Sequence, residues 1–423
     1  MIIRQSHMMM ALTFSIAFSQ VVEMQVSIGG PTVSLDELPL LACAGILLLS
    51  GKIGRVSGLL LAFGLIELGV RSIYPLVNGQ IVPLISEVIK LVILLAVYGT
   101  LANNAKDDVD SSFALLARYW VILAVISAGV ILLQSADLLP KQALVQGSIK
   151  TFPRPTGIQN DPNFAANSLA LAVLFLKMLR LRPLYQNGLI GLMLIAIFLT
   201  ESRMGLVLAV FILTYWWLIS WRISSLKAVR SRVLGTLCII AVVAVGSFTL
   251  AQSDRNFRVF ERFSSIVATL EATTLLSLER TRGLQRESAQ ERLILAYAGY
   301  RVWRDNKLIG VGQDRIAQEL RITAGIEKST HNGYIDRMMI GGVFGILFVG
   351  FVAYLLLLST RLRLRQSKNH TILGVKVLLP TVCIASMLLN VSFWPVLTML
   401  AACLASQNVS LRIRRSAPAA QLV

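Results

Sequence analysis

Little in this chain could hold a metal ion or a covalent framework. Its four cysteines, Cys43, Cys238, Cys383 and Cys403, all fall inside apolar runs with no close pairing, so neither a disulfide framework nor a zinc site is encoded. The three histidines, His7, His331 and His370, are as widely scattered, and no His/Asp/Glu cluster with metal-ligand spacing can be assembled. No metal or other cofactor is expected. A P-loop lysine motif is missing, which argues against an ATP-driven pump. Gly310-Val311-Gly312-Gln313-Asp314 lacks the preceding strand and the third glycine of a dinucleotide fingerprint and reads as a turn. Charge is scarce as well: 15% of residues are charged against 55% hydrophobic, more apolar surface than a soluble core of 423 residues could bury.

That excess is organised into runs long enough to span hydrocarbon, so the expected fold is an all-α polytopic membrane protein. Spans are read at 8–25, 36–50, 56–75, 80–100, 117–136, 163–179, 186–201, 204–221, 233–251, 334–358, 371–389 and 394–410. These make about twelve helices, with both termini on one side. A formal charge of +18 raises the question of nucleic acid, but much of the basic excess sits in short clusters between apolar runs rather than in one aromatic-interleaved patch. Cytoplasmic termini put Lys52/Arg55, Lys106, Lys177/Arg180/Arg182, Arg222/Lys227/Arg230/Arg232, Arg361/Arg363/Arg365/Lys368 and Arg412/Arg414/Arg415 inside. Every short cluster then obeys the positive-inside rule. The polar loop 252–333 also carries many Lys and Arg, but a segment that long is translocated largely regardless of charge and faces outward. The expected organisation is therefore 1–251 with nine spans, 252–333 as one large outward loop holding short helices, and 334–423 with three spans and a cytoplasmic tail. Arg4, the apolar run Met8 to Phe18 and Ala17-Phe18-Ser19 also fit a signal peptide, although apolar character continues through Val21, Val22 and Met24.

Several outward segments break the apolar pattern. Residues 150–163 pack three prolines, Pro153, Pro155 and Pro162, and Gly157 around Arg154, with Asn163 read as the N-cap of the sixth span. This is either a tight re-entry turn or a substrate-facing loop. Thr200-Glu201-Ser202-Arg203 joins two spans so short that the turn must lie at or below the outer interface. An arginine held there is a functional candidate, because its burial is expensive without a partner, and its planar fork suits a pyrophosphate. A local ion pair with Glu201 is the alternative. Phe257-Arg258-Val259-Phe260-Glu261-Arg262-Phe263 suits the headgroup region, where rings anchor and arginines meet phosphate. Residues 291–305 read as an amphipathic helix with Leu293, Tyr297 and Tyr300 on one face, able to lie over the membrane domain, and Arg292 opens it near an anion-favouring N-terminus. Glu67, Arg71, Glu87 and Lys90 fall inside spans and read as structural ion pairs.

At Arg203, Arg292 and Thr330-His331-Asn332-Gly333-Tyr334, followed by Gly341-Gly342-Val343-Phe344-Gly345, the chain resembles the bacterial O-antigen ligase and polysaccharide polymerase superfamily. The resemblance covers nearly the whole length, including an Arg-Pro-x-Gly…Asn-Asp-Pro-Asn segment, a Ser-Arg turn and a large loop ending in His-Asn. It implies that the family's essential histidine falls on His331 and its Ser-Arg arginine on Arg203. The family's loop arginine falls on Arg292, with Arg258 and Arg262 as rivals because loop spacing varies. Arg154, Asn163 and Asn332 join these as expected substrate contacts.

The activity so implied is inverting transfer of a glycan from undecaprenyl diphosphate to a sugar hydroxyl at the periplasmic face of the inner membrane. Neither nucleotide sugar nor metal takes part. The partners would be the carrier-linked donor, membrane lipids and an acceptor that is either lipid A core or another carrier-linked glycan, with no nucleic acid. Arginines can offset the charge developing on a lipid pyrophosphate. His331, the only histidine expected to face outward, suits the base that takes the acceptor proton, with an ordinary pKa of about 6.5. A polysaccharide flippase or transporter and a non-catalytic assembly protein are the alternatives; no internal repeat supports the former.

Overall fold

The computed structural model describes residues 5–22, 25–27, 32–34, 37–51, 56–145, 148–151, 154–179, 181–221, 288–362, 370–387 and 392–416. In hydrocarbon a backbone can satisfy its polar groups only within its own segment, and the apolar runs accordingly become helices. The first eight are α1 (Gln5–Val21), α2 (Leu38–Ser50), α3 (Gly58–Val77), α4 (Ile81–Ala105), α5 (Val109–Ser135), α6 (Pro162–Met178), α7 (Pro183–Leu199) and α8 (Arg203–Trp221). The expected span 233–251 and the loop up to 287, with Cys238, Arg258 and Arg262, lie outside the described residues. The chain continues with α9 (Ser288–Asp305), α10 (Ile316–Ala324), α11 (Gly333–Gly341), α12 (Val343–Thr360), α13 (His370–Ser386) and α14 (Trp394–Ser416). Among the described residues, α3, α4, α5 and α12 are long and apolar enough to cross a membrane, and shorter apolar helices lie at α2, α6, α7, α8, α13 and α14.

The helical body expected from the sequence is present, with two short additions and one corrected span. β1 (Gln25–Ser27) pairs antiparallel with β2 (Thr32–Ser34), and β3 (Gln142–Val145) pairs antiparallel with β4 (Ser148–Thr151). Each strand pair lies between successive helices, with Val26 opposite Val33 and Leu144 opposite Ile149, β-branched or apolar residues that suit a strand. The span read at 334–358 is two helices. Gly342 sits between them at φ 53° and ψ −115°, and a side chain there would run into the carbonyls of Lys307 and Leu308. Hydropathy runs straight through this break, and only the backbone reveals it.

Backbone groups at the break are satisfied by protein. Val311 N–H donates to the Met339 carbonyl at 2.7 Å, Gly312 N–H to Ile340 at 3.2 Å, and Val343 N–H to Leu308 at 3.3 Å. The Gly310–Gly312 segment is thus a non-helical turn, as its sequence predicts, and it closes the end of α11. Irregular backbone of this kind is tolerated at membrane depth only where protein covers it.

The core gathers Phe63 of α3, Tyr98 of α4, Phe348 of α12, and Phe393 and Trp394 at the start of α14, with Phe63 edge-on to Trp394 at 5.2 Å and Tyr98 stacked on it at 5.6 Å. Cys43, Cys383 and Cys403 are buried free thiols.

Candidate active site

The turn before α6 and the turn before α8 are built as one unit. Asp161, not Asn163, caps α6: its carboxylate accepts from Asn163 N–H at 2.6 Å, and Pro162 fills the first helical position, where a missing N–H costs nothing. The side chain of Asn163 is thereby directed elsewhere, and its Oδ1 accepts from the Ser202 hydroxyl at 3.1 Å. Ser202 Oγ in turn accepts from Gly205 N–H at 3.3 Å, and Thr200 Oγ1 accepts from Ser202 N–H at 3.3 Å. Gly205 lets α8 approach α6 closely, since a Cβ there would overlap Ala166.

Arg154 donates to the Glu201 carbonyl at 3.5 Å, and Gln134 at the end of α5 accepts from Thr156 and Gly157 N–H, each at 3.0 Å. Glu201 takes φ 53°, in the left-handed region. Arg203 begins α8 directly after this turn; its side chain lies outside the described part. Asn167, one turn on from Asn163, is buried with neither atom of its carboxamide hydrogen-bonded, and the sequence reading passed over it.

The second unit leads into α11. Asn332 is its N-cap, accepting from Tyr334 N–H at 3.1 Å and Ile335 N–H at 3.2 Å. His331, immediately before, is held at φ 56°. Left-handed backbone costs a non-glycine residue about 1–3 kcal/mol and persists only where surroundings hold it, characteristically at functional sites. Here the surroundings are Thr330 and Asp336. The buried Asp336 Oδ1 accepts from Thr330 Oγ1 at 2.6 Å and Thr330 N–H at 3.2 Å, while Thr330 Oγ1 accepts from Asn332 N–H at 3.0 Å. Burial pushes the Asp336 carboxyl above the ordinary carboxylate range, opposed by the two Thr330 bonds and the charges of His331 and Arg337.

Arg337, one residue on, is 7% exposed and pairs with Glu67 of α3 at 3.0 Å. Its Nη1 also donates to the Gly333 carbonyl at 3.2 Å, and its guanidinium lies 4.3 Å from the centre of the Phe348 ring. From Glu67 the charge chain continues to Arg71 at 3.6 Å, Glu87 at 3.8 Å and Lys90 at 3.0 Å. The ion pairs expected inside the spans are present, with Arg337 as the buried member that the sequence reading did not include. Asp336 and Arg337 carried a readable signal, two ionisable side chains inside a segment taken for a span.

Across α11 lies α9. The amphipathic helix is present, but its packed face is Leu295, Ala298 and Val302, while Tyr297 and Tyr300 are exposed. Gly299 sits against Thr330, Ile335 and Met339, so α9 covers the start of α11 from one side. Arg292 lies near the start of α9 and is partly buried.

Both units lie at one end of the helical body. α13 packs against α5, α6 and α8. Its beginning is tied to the beginning of α5, where Asp110 accepts from Thr371 N–H at 3.3 Å. Near its far end the Cys383 carbonyl accepts from the Tyr334 hydroxyl at 3.1 Å. The His331 turn is thus at the same end of α5 and α13 as Gln134 and the Arg154–Glu201 contact. Arg154, Asn163, the backbone of Arg203, His331 and Asn332 gather on one side of the protein.

Residues 188–350, from within α7 to within α12, match the family model described as O-antigen ligase. No curated protein matches the chain. The matched stretch contains the Ser202-Arg203 turn, α9 and the His331 turn. Over that stretch this integral membrane protein is similar to the O-antigen ligase family.

Proposed function

We propose that the protein transfers a glycan from undecaprenyl diphosphate to a sugar hydroxyl at the periplasmic face of the bacterial inner membrane, with both termini cytoplasmic. It acts either as a ligase to the lipid A core or as a polymerase to another carrier-linked glycan. The observation that carries this reading is the gathering of two strained turns, at Glu201 and His331, on one side of the helical body, both inside the family-matched stretch.

In this mechanism the acceptor oxygen attacks the anomeric carbon while His331 takes its proton. The bond from that carbon to the diphosphate oxygen breaks, and its electron pair leaves with the lipid diphosphate. One displacement inverts the anomeric centre. Arg203 and Arg292 offset the charge that grows on the leaving group, where preorganised donors are most effective. Arg154, Asn163, Arg258, Arg262 and Asn332 hold the substrates, Asn163 and Asn332 acting from positions fixed by their own hydrogen bonds. The arginines provide the charge compensation, so no metal is required.

Arg203→Lys keeps the charge and loses the bidentate fork. Donor binding and turnover should fall together, each by roughly tenfold or more. Direct binding of lipid diphosphate and initial-rate measurements on the same preparation check this. Unchanged values in both would remove Arg203 from the diphosphate site.

A further inference from the structure

We propose that Asp336 is the positioning residue of His331, holding the histidine's turn through Thr330 and balancing the imidazolium that forms when the acceptor proton is taken. The inference rests on the reading of His331 as the base.

The geometry around Asp336 is specific. Its Oδ1 accepts two bonds from one residue, Thr330, from the hydroxyl at 2.6 Å and from the backbone N–H at 3.2 Å. Thr330 Oγ1 then accepts from the backbone N–H of Asn332, so the carboxylate and the hydroxyl together clasp both sides of His331. A carboxylate in the first turn also lies in the favourable field of the helix N-terminus.

Among the described residues, the charges of His331 and Arg337 act on Asp336. Arg337 is already engaged by Glu67. From α9 the apolar Leu295, Ala298 and Val302 face inward, and α10 contributes Ile316 and Leu320. α12 contributes the ring of Phe348. The α10 charges Glu319 and Arg321 pair with Arg315 and Glu327 respectively, just outside the helix. When His331 becomes protonated, Asp336 is a carboxylate whose charge acts on it.

Asp336→Asn retains an oxygen that can accept from Thr330 but removes the charge. A nearby anion favours the protonated imidazole, so its loss lowers the pKa of His331. The acid limb of the pH–rate profile, below which the base is protonated, should therefore move to lower pH by about one unit. A weaker base should also lower kcat, by roughly tenfold or more, with KM for donor little changed. A carboxylate that only fastens the start of α11 would leave the limb in place.

The profile is to be measured on monodisperse full-length protein, with lipid-diphosphate release as readout. An unmoved limb in folded Asp336→Asn overturns the proposal. If that variant does not fold, Thr330→Val is compared with Thr330→Ser. Loss of kcat in the valine variant at unchanged donor binding, restored in the serine variant, supports the clasp, and equal rates in both overturn it. His331→Ala measured alongside separates the two ideas: a normal rate there removes the base itself, whereas a dead His331→Ala with an unmoved Asp336→Asn limb removes only this inference.

Discussion

His331→Ala is expected to lower turnover by about 10²–10⁴ while leaving lipid-diphosphate binding largely intact, the range that general-base assistance is worth. The competing idea is that the histidine merely starts a helix. That work is done by Asn332, whose side chain accepts from Tyr334 and Ile335 N–H. Removing the imidazole therefore leaves the cap standing. Alanine at φ 56° costs about 1 kcal/mol more than a residue that tolerates left-handed backbone. His331→Asn controls for that strain, because asparagine visits this region readily yet offers no base. Both variants should be folded and equally inactive. Turnover of either near the wild-type rate would end the base assignment.

Glu67→Ala should produce the largest loss of stability. It leaves the buried Arg337 without the carboxylate that its Nε meets at 3.0 Å. Removing one partner of a buried pair costs roughly 3–5 kcal/mol, because a desolvated charge is left behind. Arg71 loses a partner too, although Glu87 remains within 3.8 Å of it. α11 would be loosened where it is held to α3, so activity should fall with stability. Replacing both Glu67 and Arg337 by apolar residues of similar volume removes the stranded charge, and the unfolding midpoint in detergent should return toward wild type. A midpoint unchanged in the single variant would show that the pair carries no structural weight.

What was legible in the sequence follows from what hydropathy and local motifs can report. A continuous apolar run reports a helix, and α3, α4, α5 and α12 were all visible in this way. It does not report a backbone break, and Gly341-Gly342 inside such a run looked like any glycine pair. The cap of α6 is readable in principle, since Asp161-Pro162 carries the acidic cap followed by proline at the first helical position, whereas Asn163 lies inside the helix. In α9 the tyrosines suggested the wrong face, because a large amphipathic ring looks apolar in a pattern while Leu295, Ala298 and Val302 form the contact.

At the site, the His331-Asn332 step and the Ser202-Arg203 turn were legible as local motifs. Their placement at one end of the helical body depends on α13, whose contacts with Asp110 and Tyr334 no sequence spacing foretells. The clasp from Asp336 to Thr330 and the pair between Glu67 and Arg337 are tertiary as well, the second joining residues 270 positions apart.

The most direct test of the account is donor turnover by purified protein reconstituted in liposomes, supplied with an undecaprenyl-diphosphate-linked glycan and a glycan acceptor in saturating chelator. The account predicts release of undecaprenyl diphosphate in step with glycan appearing on an acceptor hydroxyl with inverted anomeric configuration. Movement of intact donor across the bilayer without cleavage would contradict it and mark the protein as a transporter.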